Sequence, residues 1–269
     1  MSAVTMERES GVTATARPEP AGIPMTRLTS IELRKMFDTR SGFWLMASIG
    51  IAAVLATGAV ILFAADSDIT FNSFAAAIGV PMTIILPMIA ILSVTGEWSQ
   101  RSGLTTFTLV PHRGRVIGAK AISAVGVGVV SMVVAFTIGA LGNLLGAAVT
   151  GNDLVWDLSL ANLFYIAVAN VLGMLMGFML GVLIRNSPGA IAGYFVYSFL
   201  VPTLSGLLAA SQDWYHDVQG WFDFQFSSSQ LFDGALTGQE WAHLGVSGLF
   251  WLVIPMAVGV WLVLRAEVK

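Results

Sequence analysis

The chain has 269 residues, of which 56% are hydrophobic and 11% are charged, and its mean hydropathy is +0.79. An average soluble domain carries about 25% charged residues, so this composition excludes an ordinary soluble protein and predicts a membrane protein. The absence of cysteine excludes disulfide scaffolds, thiolate zinc sites, iron–sulfur clusters and cysteine nucleophiles. The formal net charge is −3.

The first 24 residues are rich in Ser, Thr, Pro, Glu and Ala and have no apolar periodicity. This composition predicts a disordered cytoplasmic tail. It does not match a signal peptide, because the first apolar run starts only after residue 43 and is too long for the hydrophobic region of such a peptide.

Residues 25–43 predict an elbow helix at the membrane surface, its helical part spanning 25–40. The polar arc of a helical wheel holds Arg27, Ser30, Arg34 and Asp38, and the apolar arc holds Met25, Leu28, Leu33, Met36 and Phe37. Lys35 and Arg40 flank the apolar arc, whereas Glu32 lies within it, and we expect Glu32 to pair with Lys35, three residues on. Such a helix could merely fix orientation. The misplaced charge of Glu32 favours a helix that packs on a bundle and meets a cytoplasmic partner.

Six apolar segments follow, each long enough to cross a hydrocarbon core of roughly 30 Å. They are residues 44–65, 74–95, 121–149, 160–184, 189–210 and 244–264. None contains Asp, Glu, Lys, Arg or His. Because a lipid-exposed backbone must satisfy its own hydrogen bonds, and barrel strands would be shorter and would alternate, these segments predict six transmembrane helices in an all-α protein.

The cations are confined to one side of these predicted spans. All 13 Lys and Arg residues lie before span 1, between spans 2 and 3, between spans 4 and 5, or after span 6. Nine of the 16 acidic residues lie in the three other loops. The positive-inside rule therefore places both termini in the cytoplasm.

Residues 96–120, GEWSQRSGLTTFTLVPHRGRVIGAK, form the one sizeable cytoplasmic loop between predicted spans. Glu97 and Arg101 are four residues apart and are expected to pair on one helical face. A basic loop could rest on anionic lipid headgroups. That role does not need Trp98 or Phe107, which suit a docking surface for a protein, and from the residues alone both interpretations stay open.

Three glycines in span 4 occur at every fourth position, namely Gly173, Gly177 and Gly181. Such a row lets a neighbouring backbone approach closely, and we expect packing within one chain in preference to a dimer seam. Proline should kink three spans, at Pro81 and Pro87, at Pro202, and at Pro255.

The segment 211–243 between spans 5 and 6 predicts an acidic amphipathic helix at the outer interface. Its shared apolar face consists of Trp214, Val218, Trp221 and Phe222. His216 and His243 are 27 residues apart, too isolated in sequence to predict a metal site.

Taken together, the run IELRKMFDTRSGFW at 31–44, the loop at 96–120 and the ending WLVIPMAVGVWLVLRAEVK at 251–269 resemble the permease subunits of type-2 ABC transporters, most of them bacterial exporters. The resemblance covers residues 25–269. It implies a six-helix permease in the bacterial plasma membrane, with short outer helices between spans 5 and 6 that cap the exit. It also implies two permease copies, or two related permeases, with two separate ATPase subunits. Trp98 stands where the family usually has Tyr or Arg.

The resemblance also implies roles for individual residues. The implied ATPase-coupling residues are Glu97, Trp98, Arg101, Gly103, Thr105, Thr106, Phe107, Pro111 and Arg113. The elbow residues are Glu32, Arg34, Lys35 and Arg40, and the candidate path residues in spans 2 and 5 are Thr83, Tyr194 and Tyr197. ATP and Mg²⁺ are expected in the partner, because none of the three lysines is followed by Ser or Thr as a Walker A motif requires.

Two other classes of function remain alternatives. One is an ATP-independent structural or sensory membrane protein, against which the coupling-like loop weighs. The other is a membrane enzyme, although the chain has neither H-E-x-x-H nor G-x-S-x-G. No feature predicts nucleic-acid binding or a bound cofactor, and the substrate stays open, because an apolar lining tolerates many ligands.

Overall fold

The structure is a computed structural model that describes residues 23–99 and 113–265. Of these described residues 89% are helical and none forms a strand. Six helical stretches within them are long and apolar enough to cross a membrane. The prediction of an all-helical chain with six such helices is therefore confirmed.

Eleven α-helices are distinguished in the described ranges. They are α1 (Met25–Asp38), α2 (Arg40–Phe63), α3 (Phe71–Ser99), α4 (Arg113–Thr150), α5 (Leu160–Ile184), α6 (Ser187–Phe195), α7 (Val201–Ser211), α8 (Asp213–Phe222), α9 (Phe224–Ser229), α10 (Gly238–Gly248) and α11 (Ile254–Arg265). Short 3₁₀ turns occupy Asp66–Asp68 and Gln230–Phe232, and π-helical turns occupy Val196–Leu200 and Leu249–Val253. Each π-helical turn joins two α-helices into one long rod.

The helix boundaries differ from the predicted ones at the ends that carry charge. The elbow segment breaks at Thr39, whose extended backbone and side chain cap α2 by accepting a hydrogen bond from the Gly42 amide at 3.1 Å. Helix α4 starts at Arg113, eight residues before the apolar segment, so Lys120 lies inside a helix. Helix α5, which has an apolar composition throughout, coincides with the predicted 160–184.

Proline positions explain the irregular turns in the last two rods. The Val201 amide donates to the Val196 carbonyl and the Ile254 amide donates to the Leu249 carbonyl, five residues back in both cases. A proline follows immediately each time, at 202 and 255. Proline cannot donate to the carbonyl four residues back and its ring displaces that carbonyl, so the preceding turn widens.

Two apolar cores hold the rods together, and α3 and α5 belong to both. The first core joins α1, α2, α3, α4, α5 and α11, and the second joins α3 and α5 to α6, α9 and α10. A Cβ atom added at Gly177 would lie 2.7 Å from the Pro87 carbonyl oxygen, and one at Gly181 would lie 3.3 Å from the Ile91 carbonyl oxygen. The glycine row of α5 therefore lets its backbone rest on α3 within the chain.

Helix α8 presents two of its aromatic side chains outward. Trp214 is 63% exposed and Phe222 59% exposed, whereas Gln219 and Gly220 are buried. Gln219 donates a hydrogen bond of 3.1 Å to the Ser205 hydroxyl of α7. The helix is amphipathic, as predicted, but Gln219 and Gly220 pack inward while Trp214 and Phe222 face outward.

Candidate functional site

Four charged side chains from three helices meet at one end of the bundle. We call Glu32, Lys35, Glu97 and Lys120 the four-charge cluster. The Lys35 ammonium lies 2.8 Å from Glu32 Oε1 and 2.8 Å from Glu97 Oε1. The Lys120 ammonium lies 2.6 Å from Glu32 Oε2 and 3.1 Å from Glu97 Oε1. Each lysine therefore bridges both glutamates, and the cluster joins α1, α3 and α4.

The cluster is mostly removed from solvent. The side chains of Lys120, Glu32 and Glu97 are 6%, 8% and 13% exposed, and that of Lys35 is 43% exposed. Burying an unpaired charge is very costly, whereas two cations against two anions leave no net charge. Lys120 makes one further hydrogen bond, 3.1 Å to the Ser93 carbonyl oxygen. All three of its N–H donors thus have an acceptor.

The environment of Lys35 favours its charged form. Partial burial of the ammonium by itself lowers its pKa, but hydrogen bonds to Glu32 and Glu97, together with the charges of these carboxylates, act in the opposite direction and prevail. The pKa of Lys35 therefore lies above its ordinary value. Lys35 therefore stays protonated at neutral pH, where it can pair with both carboxylates.

Helix α1 reaches the cluster because one of its faces is buried. Leu28, Glu32 and Met36 repeat every four residues and are buried together. At the same face the Ser123 hydroxyl of α4 donates to the Thr29 carbonyl oxygen at 3.2 Å. The Arg115 guanidinium donates to the Ile23 carbonyl oxygen at 2.7 Å. Apolar packing, the Glu32–Lys120 ion pair and the Ser123 hydrogen bond bind α1 to α4, and Arg115 binds the chain just before α1.

Further contacts surround the end of α3. The Arg185 guanidinium lies 5.8 Å from the ring centroid of Trp98, within cation–π range. Arg113, the first residue of α4, donates to the Val263 carbonyl oxygen near the end of α11 at 3.2 Å. Both helices that flank residues 100–112 are therefore bound to their neighbours, α3 near its last residue and α4 at its first.

Only part of the predicted coupling set can be placed. Glu97, Trp98 and Arg113 lie at this end, whereas Arg101, Gly103, Thr105, Thr106, Phe107 and Pro111 lie outside the described residues. The predicted pairing of Glu97 with Arg101 therefore stays a prediction. Glu97 contacts Lys35 and Lys120.

The predicted partner of Glu32 is confirmed, but sequence reasoning missed Lys120. The Glu32–Lys35 pair is present at 2.8 Å. Glu32 also pairs with Lys120, 88 residues away. A signal was available, because a carboxylate in an apolar arc needs a buried cation and Lys120 directly precedes an apolar run. Arg34 and Arg40 are exposed and lie outside the cluster.

Two of the three candidate path residues are buried, and one of these two is hydrogen-bonded to the third. The Tyr194 hydroxyl donates to the Thr83 carbonyl oxygen at 2.7 Å. That carbonyl is free to accept because Pro87, four residues on, has no N–H. Thr83 is exposed, whereas Tyr194 and Tyr197 are buried, and the ring of Tyr197 lies 5.8 Å from that of Trp251.

A second polar region lies between α9 and α10. A cavity of about 260 Å³ is lined by Phe226, Ser227, Gln230, Thr237, Gln239, Glu240 and His243. The His243 ring packs edge-on against Trp221 at 4.4 Å. Within residues 23–99 and 113–265 no three His, Asp or Glu side chains group as a metal site would require.

Comparison with protein-family models and with curated proteins returns no match to this chain.

Proposed function

We propose that this chain is the membrane permease subunit of an ATP-driven ABC exporter and forms half of the substrate pathway. Two partner ATPase subunits would bind ATP and Mg²⁺, and a second copy of this chain, or a related permease, would complete the path. The observation that carries the proposal is the four-charge cluster. It binds α1 to both helices that flank residues 100–112, the segment proposed to dock on the ATPase.

The cluster suits the transmission of a movement. Glu97 lies two residues before the end of α3, and Lys120 lies in the second turn of α4. A displacement of the intervening segment would move both helix ends, and the paired charges would carry α1 with them. Interfaces of this kind move as rigid bodies, because packed contacts are not continuously deformable.

The dimensions of α4 fit the same role. Its 38 residues correspond to a length of about 57 Å, compared with about 30 Å for a hydrocarbon core. In the proposed orientation, with both termini in the cytoplasm of a bacterial cell, the first turns of α4 would project beyond the plasma membrane. They would present residues 100–112 to a cytoplasmic ATPase.

The last two rods supply sites at which such a movement could change the pathway. Each has a π-helical turn followed by a proline, and Tyr197 of the first turn contacts Trp251 of the second. The Trp251 indole donates to the Phe222 carbonyl oxygen of α8 at 2.7 Å. Weakened backbone hydrogen bonding at these turns would let the rods bend together, with the short helices α8 and α9 as an outer cap.

Purification from the native membrane tests the proposal. The tagged full chain, extracted in a mild detergent, should bring an ATPase subunit with it, and the complex should hydrolyse ATP. The double substitution Thr105→Asp with Thr106→Asp should reduce the recovered ATPase at least fivefold, because two negative charges would enter the segment proposed to dock on the ATPase and would be desolvated there. Ser67→Asp, an exposed position between α2 and α3, serves as the matched control and should leave recovery unchanged.

The alternative of an ATP-independent structural or sensory protein makes the opposite prediction. No ATPase would be recovered with the native chain under any mild extraction, and the Thr105 and Thr106 substitutions would change nothing. That result would rule out the exporter assignment.

A further inference from the structure

The outward face of α1 carries cations that the rest of the structure does not use. Arg27 and Arg34 lie on the side of α1 opposite Leu28, Glu32 and Met36, and both are exposed. Within the described residues no carboxylate forms an ion pair with either guanidinium. Lys35 and Lys120, by contrast, form ion pairs within the four-charge cluster. As far as residues 23–99 and 113–265 are concerned, the two guanidinium groups are left to bind a group of opposite charge.

The same face also carries exposed apolar side chains. Ile31 is 43% exposed and Phe37 is 50% exposed, and they flank the arc that holds the two arginines. Phe43 and Trp44, at the start of α2, are 56% and 62% exposed. Cations beside large apolar side chains at the beginning of a membrane-spanning helix are the pattern of a surface at the lipid headgroups.

The cluster fixes the orientation of this face. Glu32 holds α1 to Lys120 from the buried side, so the helix cannot rotate without breaking a 2.6 Å ion pair. Arg27 and Arg34 are consequently pointed away from the bundle in a set direction. Asp38 is the one acidic residue on the exposed arc of α1. Because Arg27, Arg34 and Arg40 outnumber it, this surface has a net positive charge.

We propose that this face, formed by Arg27, Ile31, Arg34 and Phe37, is a binding site for the headgroup of an anionic phospholipid. The guanidinium groups pair with the anionic lipid phosphate, and Ile31 and Phe37 enter the boundary of the acyl chains. The site depends on membrane embedding and not on ATP-driven transport. A negative result for the lipid site would leave the proposed function intact. Failure of the proposed function would likewise leave the lipid site intact.

Native mass spectrometry of the full chain tests the site. The protein is released from nanodiscs that contain equal amounts of phosphatidylglycerol and phosphatidylcholine. The unmodified chain should retain phosphatidylglycerol in preference to phosphatidylcholine. Arg27→Gln with Arg34→Gln should lower that preference at least threefold, since each basic residue contributes several-fold to binding at an anionic surface. Arg27→Lys with Arg34→Lys keeps both charges and should retain most of it.

One further substitution and one competition experiment test the lipid site. Ser30→Asp, which places a negative charge on the same exposed arc without removing a contact, should weaken phosphatidylglycerol retention in a chain that folds normally. Inorganic phosphate added to the nanodiscs should not displace the lipid. An unchanged preference in the double Gln variant, or displacement by phosphate alone, would overturn the assignment of this face to a lipid headgroup.

Discussion

Lys120 has the most deeply buried charge of the four-charge cluster, and its partners lie on two other helices. Removing it would leave two carboxylates near each other with only the half-exposed Lys35 between them. Loss of one partner of a buried ion pair typically costs about 3–5 kcal/mol, whereas replacing a pair with apolar side chains of similar size can be nearly neutral. Stability at this site therefore depends on pairing more than on charge as such.

We predict that Lys120→Met lowers the melting temperature in detergent strongly, by an amount equivalent to about 3 kcal/mol. Adding Glu32→Met to Lys120→Met should recover part of this loss, because the carboxylate left without Lys120 is removed as well. A thermal-unfolding series on the two single variants and the double variant measures the coupling. Additive losses would show that Glu32 and Lys120 do not act as a pair.

Tyr194 is the second residue whose role depends on a distant partner. Its hydroxyl supplies the hydrogen bond that Pro87 cannot give to the Thr83 carbonyl. We predict that Tyr194→Phe destabilises the protein by about 1 kcal/mol. In a Pro87→Ala background the loss should become smaller, since the alanine N–H can donate to the same carbonyl. Equal losses in the two backgrounds, measured by thermal unfolding, would contradict this explanation.

At the scale of elements, the packing of α5 on α3 depends on the absence of a side chain at one glycine. A Cβ atom at Gly177 would meet the backbone of Pro87, which is held inside a helix and cannot move aside. At Gly50 of α2 an added Cβ would have no atom within 4 Å apart from its chain neighbours and the backbone of its own helix. The two glycines therefore differ in environment although both are helical.

We predict that Gly177→Ala destabilises the protein by about 1–3 kcal/mol through overpacking. The matched variant Gly50→Ala should be neutral or stabilising by up to about 1 kcal/mol, because alanine is the better helix former. Melting temperatures of the two variants in the same detergent decide the point. A stable Gly177→Ala variant would show that α3 and α5 can separate at little cost.

At the scale of the whole molecule, the distribution of charge predicts the orientation in the membrane. The chain has no cysteine, so single cysteines can report sidedness without background. Cysteines that replace Asp68, Val155 and Asp217 should react with an impermeant thiol reagent on intact cells, and all three positions are exposed. A cysteine that replaces Gln100 should react only after permeabilisation. Labelling of that position on intact cells would reverse the orientation.

Much of the fold could be predicted because each apolar rod is defined by its own residues. Helix α5 agrees with its predicted ends, and the helical character of α1 and α8 follows from local periodicity. The extra turns at the start of α4 were missed, because a helix there is stabilised by contacts with α1 and α11 and not by apolar composition. The π-helical turns were expected only as kinks at proline.

The candidate site was less predictable for a physical reason. Glu32 and Lys35 are three residues apart and their pairing follows from helix geometry. Glu32 and Lys120 are 88 residues apart, and Tyr194 and Thr83 are 111 apart, so no local pattern brings either pair together. Such contacts exist only once the rods have packed in one arrangement.

The sequence by itself determined that this is an all-helical protein with six rods suited to a membrane, because hydropathy and length act on each segment separately. It also determined that the charges must collect at the rod ends, since burying them unpaired is too costly. Only the tertiary structure decided which charges pair, that α5 rests on Pro87 through Gly177, and that α1 is bound to α3 and α4. Those features depend on the relative positions of helices, which side-chain packing and hydrogen bonding establish together.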